Sequence, residues 1–225
     1  MITISHIYYN QRCMLKLHKS AWEGHTKGLT YYTLIDDASP TPIHSSFRME
    51  GLDIYRVEKD IPWNIAGARN LAFHVAKTEW VLCADIDHIV TCDALTKILK
   101  LDLADPNTAY IFNRRTTEGY FGVKGIINIL MNKKRYFEMG GHDEDYSGHY
   151  GREETFFSHC LEHHEIQVIY CEDIVLDWHP RFGGTYGLQR DKSFNGLIFN
   201  RKMVELKNGS YRNGPLLRFS WKYVS

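Results

Sequence analysis

The chain has 225 residues, of which 44% are hydrophobic and 13% aromatic, a composition typical of one globular domain with a large core. Lys plus Arg and Asp plus Glu are equal at 27 each, which excludes the overall basic field that most nucleic-acid-binding domains carry. The sequence begins without a charged leader, contains no apolar run of the roughly 20 residues needed to cross a bilayer, and has no C-x-x-C pair. It therefore predicts a cytoplasmic protein with reduced thiols and no membrane span, bacterial or in the host cytosol if viral.

The first half of the sequence alternates predicted strands and helices. The predicted strands are 2–9, 29–35, 52–57 and 80–85, and the predicted helices are 12–24 and 66–78. The first helix places Met14, Leu17, Ala21 and Trp22 on its apolar side. Strands separated by helices of this length form right-handed parallel crossovers. The pattern therefore predicts an α/β fold with a mostly parallel central sheet flanked by helices.

The second half is less regular. We predict helices at 94–101, 153–164 and 194–206, strands at 108–113, 126–132, 166–170 and 174–178, and a glycine-rich loop at 139–151. The simplest organisation is a single domain over residues 1–225. It divides into an N-terminal part (1–90), a second part (91–189) and a C-terminal extension (190–225).

Two Asp-x-Asp pairs occur in the chain, Asp85–Asp87 and Asp143–Asp145, and their contexts differ. The first pair ends the apolar stretch that starts at Trp80, whereas the second lies in the polar, glycine-rich loop. Residues i and i+2 of an extended segment face the same way, so Asp85 and Asp87 can converge on a cation that also binds a diphosphate. Ligands of parallel sheets bind beyond the carboxyl ends of the strands, where Asp36 and Asp37 also lie. We therefore expect one shared site at this edge.

Three segments together resemble the glycosyltransferases of the GT-A fold, especially the inverting family 2 and enzymes with a galactosyltransferase-type C-terminal motif. They read "LIDDAS", "NIAGARNLAFHVAKTEWVLCADIDHIV" and "RYFEMGGHDEDYSGHYGREETF". The resemblance spans residues 2–179, and the third segment is its most specific part. The family pattern there usually reads Trp-Gly-x-Glu-Asp, whereas this sequence has Tyr150, Gly151, Arg152, Glu153 and Glu154.

The resemblance implies a metal-dependent transfer of a sugar, with inversion, from a nucleotide-diphosphate sugar to the hydroxyl of a glycan or another acceptor. A UDP-sugar is the favoured donor and manganese or magnesium the implied cofactor. The resemblance makes residues 1–90 the nucleotide-binding half and residues 91–189 the acceptor and catalytic half. The implied donor-binding residues are Asp36, Asp37, Arg69, Asn70 and Asp85. The implied metal ligands are Asp87, Asp85 and His179.

On the acceptor side, the resemblance implies contacts from Tyr150, Gly141 and His142. Glu154 falls where the catalytic base stands, with Glu in place of the usual Asp. Glu153 or Asp143 could take that role instead. A carboxylate base removes the proton of the attacking hydroxyl.

Other interpretations fit single residues. Asp36 and Asp37 could be turn residues, and Glu153 and Glu154 suit a helix N-terminus in any protein. A metal-dependent phosphohydrolase or nuclease also uses carboxylates and histidine, although it usually needs more acidic ligands for two metals. A non-catalytic nucleotide-sugar or glycan-binding module would keep the pocket without turnover. A modified DNA base as acceptor is compatible with the compact chain, but the neutral net charge does not support it.

Overall fold

The computed structural model describes residues 1–25, 28–44, 46–119, 126–180 and 188–225. The strands are β1 (Ile2–Tyr8), β2 (Thr30–Asp36), β3 (Leu52–Val57), β4 (Trp80–Asp85), β5 (His88–Ile89), β6 (Thr108–Arg115), β7 (Ile129–Asn132), β8 (Gln167–Trp178) and β9 (Trp221–Tyr223). The helices are α1 (Arg12–Glu23), α2 (Ile65–Val75), α3 (Cys92–Ile98), α4 (Lys133–Glu138), α5 (Glu153–His163) and α6 (Ser193–Lys207), with a 3₁₀ turn at Glu144–Tyr146.

All of these strands belong to one sheet, in the order β5-β8-β6-β7-β4-β1-β2-β3-β9. The pairs β1–β2, β1–β4, β2–β3 and β6–β8 are parallel. The antiparallel pairs are β3–β9, β4–β7, β5–β8 and β6–β7. The predicted α/β class is therefore confirmed, with a mixed sheet that is parallel across β4-β1-β2-β3 and between β6 and β8.

Helices cover both faces of the sheet. Neighbouring residues of a strand point to opposite faces, so each strand contributes side chains to both cores. Val81 and Cys83 of β4 join the core cluster that also contains residues of α2, α4, α5 and α6. Trp80 and Leu82 join the other cluster, together with residues of α1 and α3. The apolar run predicted to be a buried strand is therefore buried on both faces.

Several predicted elements differ from the observed ones. The two short strands predicted at 166–170 and 174–178 form the single strand β8, which carries an irregularity opposite Phe112 and Asn113. In α1 the buried residues are Met14, Leu15, His18 and Trp22, whereas Leu17 is 38% exposed. The buried side of α1 therefore includes His18, a polar residue that the prediction did not assign to it.

The C-terminal segment packs onto the rest of the fold. Helix α6 contacts α5 and the 3₁₀ turn, and β9 extends the sheet beside β3. The five cysteines are free thiols, as predicted. Among the described residues, no helix has both the length and the apolar character needed to cross a membrane.

Candidate active site

One cavity of about 580 Å³ lies at the carboxyl ends of β1, β2 and β4. This volume is within the range that small-molecule sites usually have. Its lining combines carboxylates, aromatic rings and cations that come from distant parts of the chain. They include Asp37, Asp60, Trp63, Asn64, Asp85, Asp87, Tyr150, Arg152, Glu153, Glu154, Trp178, Arg190 and Lys192.

Asp37 and Asn64 form one wall of the cavity. Asn64 Nδ2 donates to Asp37 Oδ1 at 2.9 Å, and the Asp37 side chain is nearly buried. Burial raises the pKa of Asp37 to about 8, and Asp60 and Asp36 add to the increase, against the hydrogen bond from Asn64. At neutral pH this carboxyl group therefore holds a proton and can donate a hydrogen bond to a ligand oxygen.

A buried arginine connects two carboxylates of the cavity. Arg69 Nη2 donates to Asp85 Oδ1 at 3.0 Å and to Glu154 Oε1 at 2.9 Å. The two acids are about one third exposed, at 32% and 31%, whereas Arg69 is only 1% exposed. Burial opposes its charge, but Asp85 and Glu154 raise the pKa of Arg69 above the ordinary value. One guanidinium therefore fixes Asp85 relative to Glu154.

Asp87 faces the cavity between an imidazole and an indole. Trp178 Nε1 donates to Asp87 Oδ2 at 3.2 Å, and His88 Nδ1 lies 2.6 Å from Asp87 Oδ1. Burial raises the pKa of Asp87, but the contacts with His88 and Trp178 outweigh it, so the pKa is lower than usual. Asp87 is therefore a carboxylate at neutral pH.

The predicted metal ligands do not form a complete metal site. Within the described ranges, no three His, Cys, Asp or Glu side chains are grouped so that they could hold a metal ion. The expected set of Asp85, Asp87 and His179 stays a prediction, and in this structure Arg69 holds Asp85 and Trp178 holds Asp87. The backbone N–H of His179 donates to the carbonyl oxygen of Asp87 at 2.8 Å, which places His179 beside the backbone that carries Asp87.

A divalent cation nevertheless fits the two acidic residues. Asp87 Oδ1 is buried and lies 2.6 Å from His88 Nδ1, but it accepts no hydrogen bond of good geometry from the described part of the chain. Buried carboxylate oxygens are normally satisfied, so this one suits a cation. Carboxylate oxygens are the preferred ligands of magnesium and also suit manganese. A ligand that brings its own oxygens, such as a diphosphate, would complete the shell.

Glu153 and Glu154 begin α5, where carboxylates are favoured by the helix dipole. Arg152, which precedes them, has a left-handed backbone with φ of 76° and turns the chain into the helix. Burial, followed by the charge of Glu154, raises the pKa of Glu153 to about 7. Glu153 Oε2 is buried with no hydrogen-bond partner among the described residues. Both acids line the cavity, and the side chain of Glu154, which Arg69 contacts, is 31% exposed.

Aromatic and cationic side chains form the outer wall. The rings of Trp63 and Tyr150 lie 4.5 Å apart, and the Arg190 guanidinium lies 5.6 Å from the Tyr150 ring centre. Lys192 Nζ lies 5.5 Å from the same centre. Trp63 Nε1 also donates to the Gln189 carbonyl oxygen at 2.9 Å, so this wall connects the start of α2 with the segment before α6.

The family-model comparison decides the identity of the fold and its chemistry. The model described as glycosyl transferase family 2 matches residues 11–151, more than half of the chain. The chain belongs to glycosyl transferase family 2. It is therefore a glycosyltransferase, as the sequence predicted. The matched range ends at Gly151, two residues before Glu153, so the assignment of the base depends on the geometry alone.

Solved structures with the GT-A fold resemble this family 2 chain along most of its length. S. aureus TarS 1–349 in complex with UDP-GlcNAc superimposes with a TM-score of 0.73 at 12% identity, covering 96% of this chain and 68% of the TarS 1–349 chain. GalNAc-T7 with UDP, GalNAc and Mn²⁺ gives 0.69 at 12% identity, covering 94% and 49%. The mannosyltransferase PcManGT from Pyrobaculum calidifontis, with GDP-Man and Mn²⁺, gives 0.60 at 17% identity, covering 96% and 65%. The chain thus spans about half to two thirds of the length of these enzymes. No curated protein sequence matches it significantly.

Several residues expected at the site of this family 2 enzyme lie behind it. Asn70 Nδ2 donates to the His142 carbonyl oxygen at 2.9 Å and to Glu144 Oε1 at 2.8 Å, and both Asn70 and His142 are buried. A side chain at Gly141 would place its Cβ 2.7 Å from Asn70 Oδ1, so this glycine allows the close contact. Asn70, Gly141 and His142 therefore hold α2 against the 139–146 loop and do not line the cavity.

Three more residues expected at the site do not line the cavity either: Asp143, Asp36 and Arg69. Asp143 is buried, with Lys202 Nζ 2.5 Å and the Tyr211 hydroxyl 2.9 Å from its Oδ2, and it is not part of the cavity wall. Asp36 is held by Arg56 at 2.5 Å and accepts the Ser39 backbone N–H at 2.9 Å, which leaves Asp37 as the acid that faces the cavity. Arg69 reaches the site from behind through Asp85 and Glu154, and does not line it.

Sequence reasoning missed part of the outer wall. Trp63 has a left-handed backbone with φ of 52° and stands between Pro62 and Asn64, just before α2. A tryptophan at such a loop-to-helix junction was the available signal. Lys192 gave no signal, because only its spatial contact with Tyr150 brings it to the cavity.

Proposed function

We propose that the protein transfers a sugar from a nucleoside-diphosphate sugar to an acceptor hydroxyl, with inversion at the anomeric carbon. The observation that carries this proposal is the Arg69 bridge, which joins a strand-end aspartate, Asp85, to a helix-start glutamate, Glu154, across one cavity. Both family 2 membership and the fold favour this reaction over a phosphohydrolase or a binding module.

On the donor side, Asp37 and Asn64 would contact the base or the ribose. The protonated Asp37 carboxyl can donate to a base or ribose oxygen while Asn64 keeps its orientation. A UDP-sugar is the favoured donor, since TarS and GalNAc-T7 were solved with UDP-GlcNAc and with UDP. PcManGT was solved with GDP-Man, and a GDP-sugar is therefore the second donor class to test.

Asp85 and Asp87 would hold a divalent cation, manganese or magnesium, between the protein and the diphosphate. GalNAc-T7 and PcManGT were solved with Mn²⁺. When bound, such a cation neutralises the charge that develops on the diphosphate leaving group. Trp178 keeps the Asp87 carboxylate oriented by its hydrogen bond to Oδ2.

Glu154 would act as the catalytic base. Arg69 holds one of its oxygens, and the partly exposed side chain lies at the cavity, so the other oxygen can accept the proton of an acceptor hydroxyl. The acceptor oxygen forms a bond to the anomeric carbon as the bond to the diphosphate breaks on the opposite face. The proton goes to Glu154, and the single displacement inverts the configuration.

The acceptor would bind against Trp63 and Tyr150. Aromatic faces suit the apolar side of a sugar ring, and these two rings flank the opening of the cavity. A glycan hydroxyl is therefore the expected acceptor. The galactosyltransferase type of the motif at 135–156 remains a prediction, because nothing in the family match distinguishes it.

The proposal is tested by exchanging the two glutamates separately. UDP- and GDP-sugars are first screened with a panel of glycan acceptors, with and without MnCl₂, to find an active pair. Glu154→Gln should then lower turnover on the order of 10² to 10⁴-fold with donor affinity nearly unchanged, because the amide cannot accept the proton. Glu153→Gln, the matched control, should have a much smaller effect. A nearly normal Glu154→Gln with an inactive Glu153→Gln would reassign the base, and retention of configuration in the product, measured by NMR, would contradict the single displacement.

A further inference from the structure

Three buried histidines hold the chain that carries Asp87. His18 Nε2 lies 2.6 Å from the Ile86 carbonyl oxygen, His6 Nε2 lies 3.1 Å from that of His88, and His25 Nε2 lies 2.8 Å from that of Val90. The three histidines come from β1, from the middle of α1 and from the residues after α1. They contact alternate carbonyl groups of one short segment, residues 86–90, which we call the aspartate segment.

The geometry of β5 explains why these carbonyl groups need donors. This strand is the last in the sheet order, so it has a strand neighbour on one side, β8. The backbone N–H of His179 donates to the carbonyl oxygen of Asp87 on that side. Alternate carbonyls of an extended strand point in opposite directions, so those of residues 88 and 90 face away from β8, whereas Ile86 lies in the turn at residues 86–87. Buried carbonyl groups need hydrogen-bond donors, and the imidazoles supply them in place of a neighbouring strand.

The imidazoles are neutral and have defined tautomers. Burial lowers the pKa of His18 to about 4 and that of His6 well below its ordinary value. A carbonyl oxygen only accepts, so each Nε2 must carry the proton. The Tyr32 hydroxyl, 2.6 Å from His25 Nδ1, donates to that nitrogen and fixes the third ring in the same tautomer.

Packing keeps the rings in place. The His6 and His18 ring centres are 4.2 Å apart, and the Trp22 ring lies 5.1 Å from that of His18. Both His6 and His18 are fully buried. Since such side chains have little freedom to move, the carbonyl oxygens on either side of Asp87 are held by rigid groups.

We propose that His6, His18 and His25 are positioning residues that fix the aspartate segment, and with it the Asp87 carboxylate, for the diphosphate of the donor and its cation. This inference rests on the proposed function. The partners of metal-binding side chains commonly determine affinity through orientation alone. Here the three histidines contact the backbone that carries the Asp87 carboxylate, and not the carboxylate itself.

The test compares two substitutions of His18. His18→Leu fills a similar space without a donor, whereas His18→Gln keeps an N–H that can reach the Ile86 carbonyl oxygen. The control is Tyr110→Phe, which removes another nearly buried donor to a backbone carbonyl, that of Asp102, in the same core cluster but away from the cavity. All variants are measured by urea unfolding, by hydrogen exchange of residues 84–91 without ligand, and by calorimetric titration with UDP or GDP, whichever the wild type binds, with MnCl₂ and with EDTA.

We expect His18→Leu to speed exchange in residues 84–91 and to weaken the manganese-dependent nucleotide affinity about 10 to 100-fold, the range found for outer partners of metal ligands. Affinity in EDTA should be nearly unchanged, His18→Gln should recover most of the loss, and Tyr110→Phe should lower stability only. If His18→Leu does not fold, His25→Leu and His25→Gln, at the edge of the cluster, provide the same comparison.

Two results distinguish a failure of the positioning role from a failure of the proposed function. A wild-type protein that binds the nucleotide more tightly with manganese, together with a folded His18→Leu of equal affinity, would overturn the positioning role and leave the histidines as packing residues. A wild-type protein without manganese-dependent binding of either nucleotide would contradict the proposed function itself.

Discussion

The two Asp-x-Asp pairs of this chain share a spacing and differ in their surroundings. Lys202 contacts both Asp143 and Asp145, at 2.5 and 2.7 Å, and Arg218 adds a contact to Asp145 at 2.8 Å. The first pair has less positive charge nearby. Asp85 shares Arg69 with Glu154, and the ion-pair partner of Asp87 is a histidine.

The pKa values of Asp85 and Asp145 reflect this difference, whereas at Asp87 the contacts with His88 and Trp178 outweigh burial, so its pKa is lowered too. Burial raises the pKa of Asp85, and the neighbouring Asp87 and Glu154 add to the increase against the effect of Arg69. Burial also acts on Asp145, but hydrogen bonds from Lys202 and Arg218 lower its pKa overall. A motif whose two carboxylates are paired with lysine and arginine away from the cavity is structural, whereas a motif that faces the cavity and shares one arginine with a third carboxylate is suited to a ligand.

The largest expected effect on stability is at Asp143. Asp143→Ala should lower the free energy of unfolding by about 3 kcal/mol, because it leaves buried Lys202 with Asp145 as its remaining carboxylate and removes the acceptor of the Tyr211 hydroxyl. Urea unfolding with an unchanged m-value measures it. Nucleotide binding of the folded fraction should stay normal, and a loss below about 0.5 kcal/mol, the size of an ordinary surface substitution, would contradict the structural assignment.

An effect that is smaller per pH unit concerns the pH dependence of stability at Asp37. Its pKa of about 8 in the folded state exceeds the ordinary value of about 3.9 expected in the unfolded state. The folded state therefore binds the proton more tightly, so this contribution to stability is complete below about pH 4 and is lost as the pH rises through about 8, with a slope of at most about 1.4 kcal/mol per pH unit.

Asp37→Asn should remove this slope and keep the acceptor for Asn64. The measurement is the free energy of unfolding between pH 5 and 9. Glu153 contributes a slope of the same sign near pH 7, which Glu153→Gln isolates. Asp102→Asn, at an exposed position, is the control that should leave the profile unchanged. An unchanged profile in Asp37→Asn would place the proton elsewhere.

The sequence was informative where chain order and geometry coincide. The apolar run before Asp85 predicted a buried strand, and the parallel pairing of β1, β2 and β4 follows from the strand and helix alternation. Asp37, Asp85 and Asp87 consequently line one cavity at the carboxyl ends of the strands. The order of strands and helices, together with the positions of these aspartates at strand ends, was enough to predict one shared site.

The rest depended on contacts between distant segments. Asn70, His142 and Asp143 resemble site residues in sequence, but the segment 202–218 packs behind them and, with Glu144, engages their polar groups. His18 was not among the residues assigned to the apolar side of the first helix, and its role appears only once the aspartate segment is placed against α1. Such contacts have no local pattern in the sequence.

The most direct test of the account is calorimetric titration of UDP and GDP into the wild type, Asp87→Asn and Asp145→Asn, each with MnCl₂ and with EDTA. Both substitutions keep the shape of the side chain and remove one charge from the same position of an Asp-x-Asp pair. We predict that manganese strengthens nucleotide binding in the wild type and in Asp145→Asn, and that Asp87→Asn loses this enhancement. Equal enhancement in all three proteins, or its loss in Asp145→Asn alone, would contradict the assignment of the first pair as the donor site.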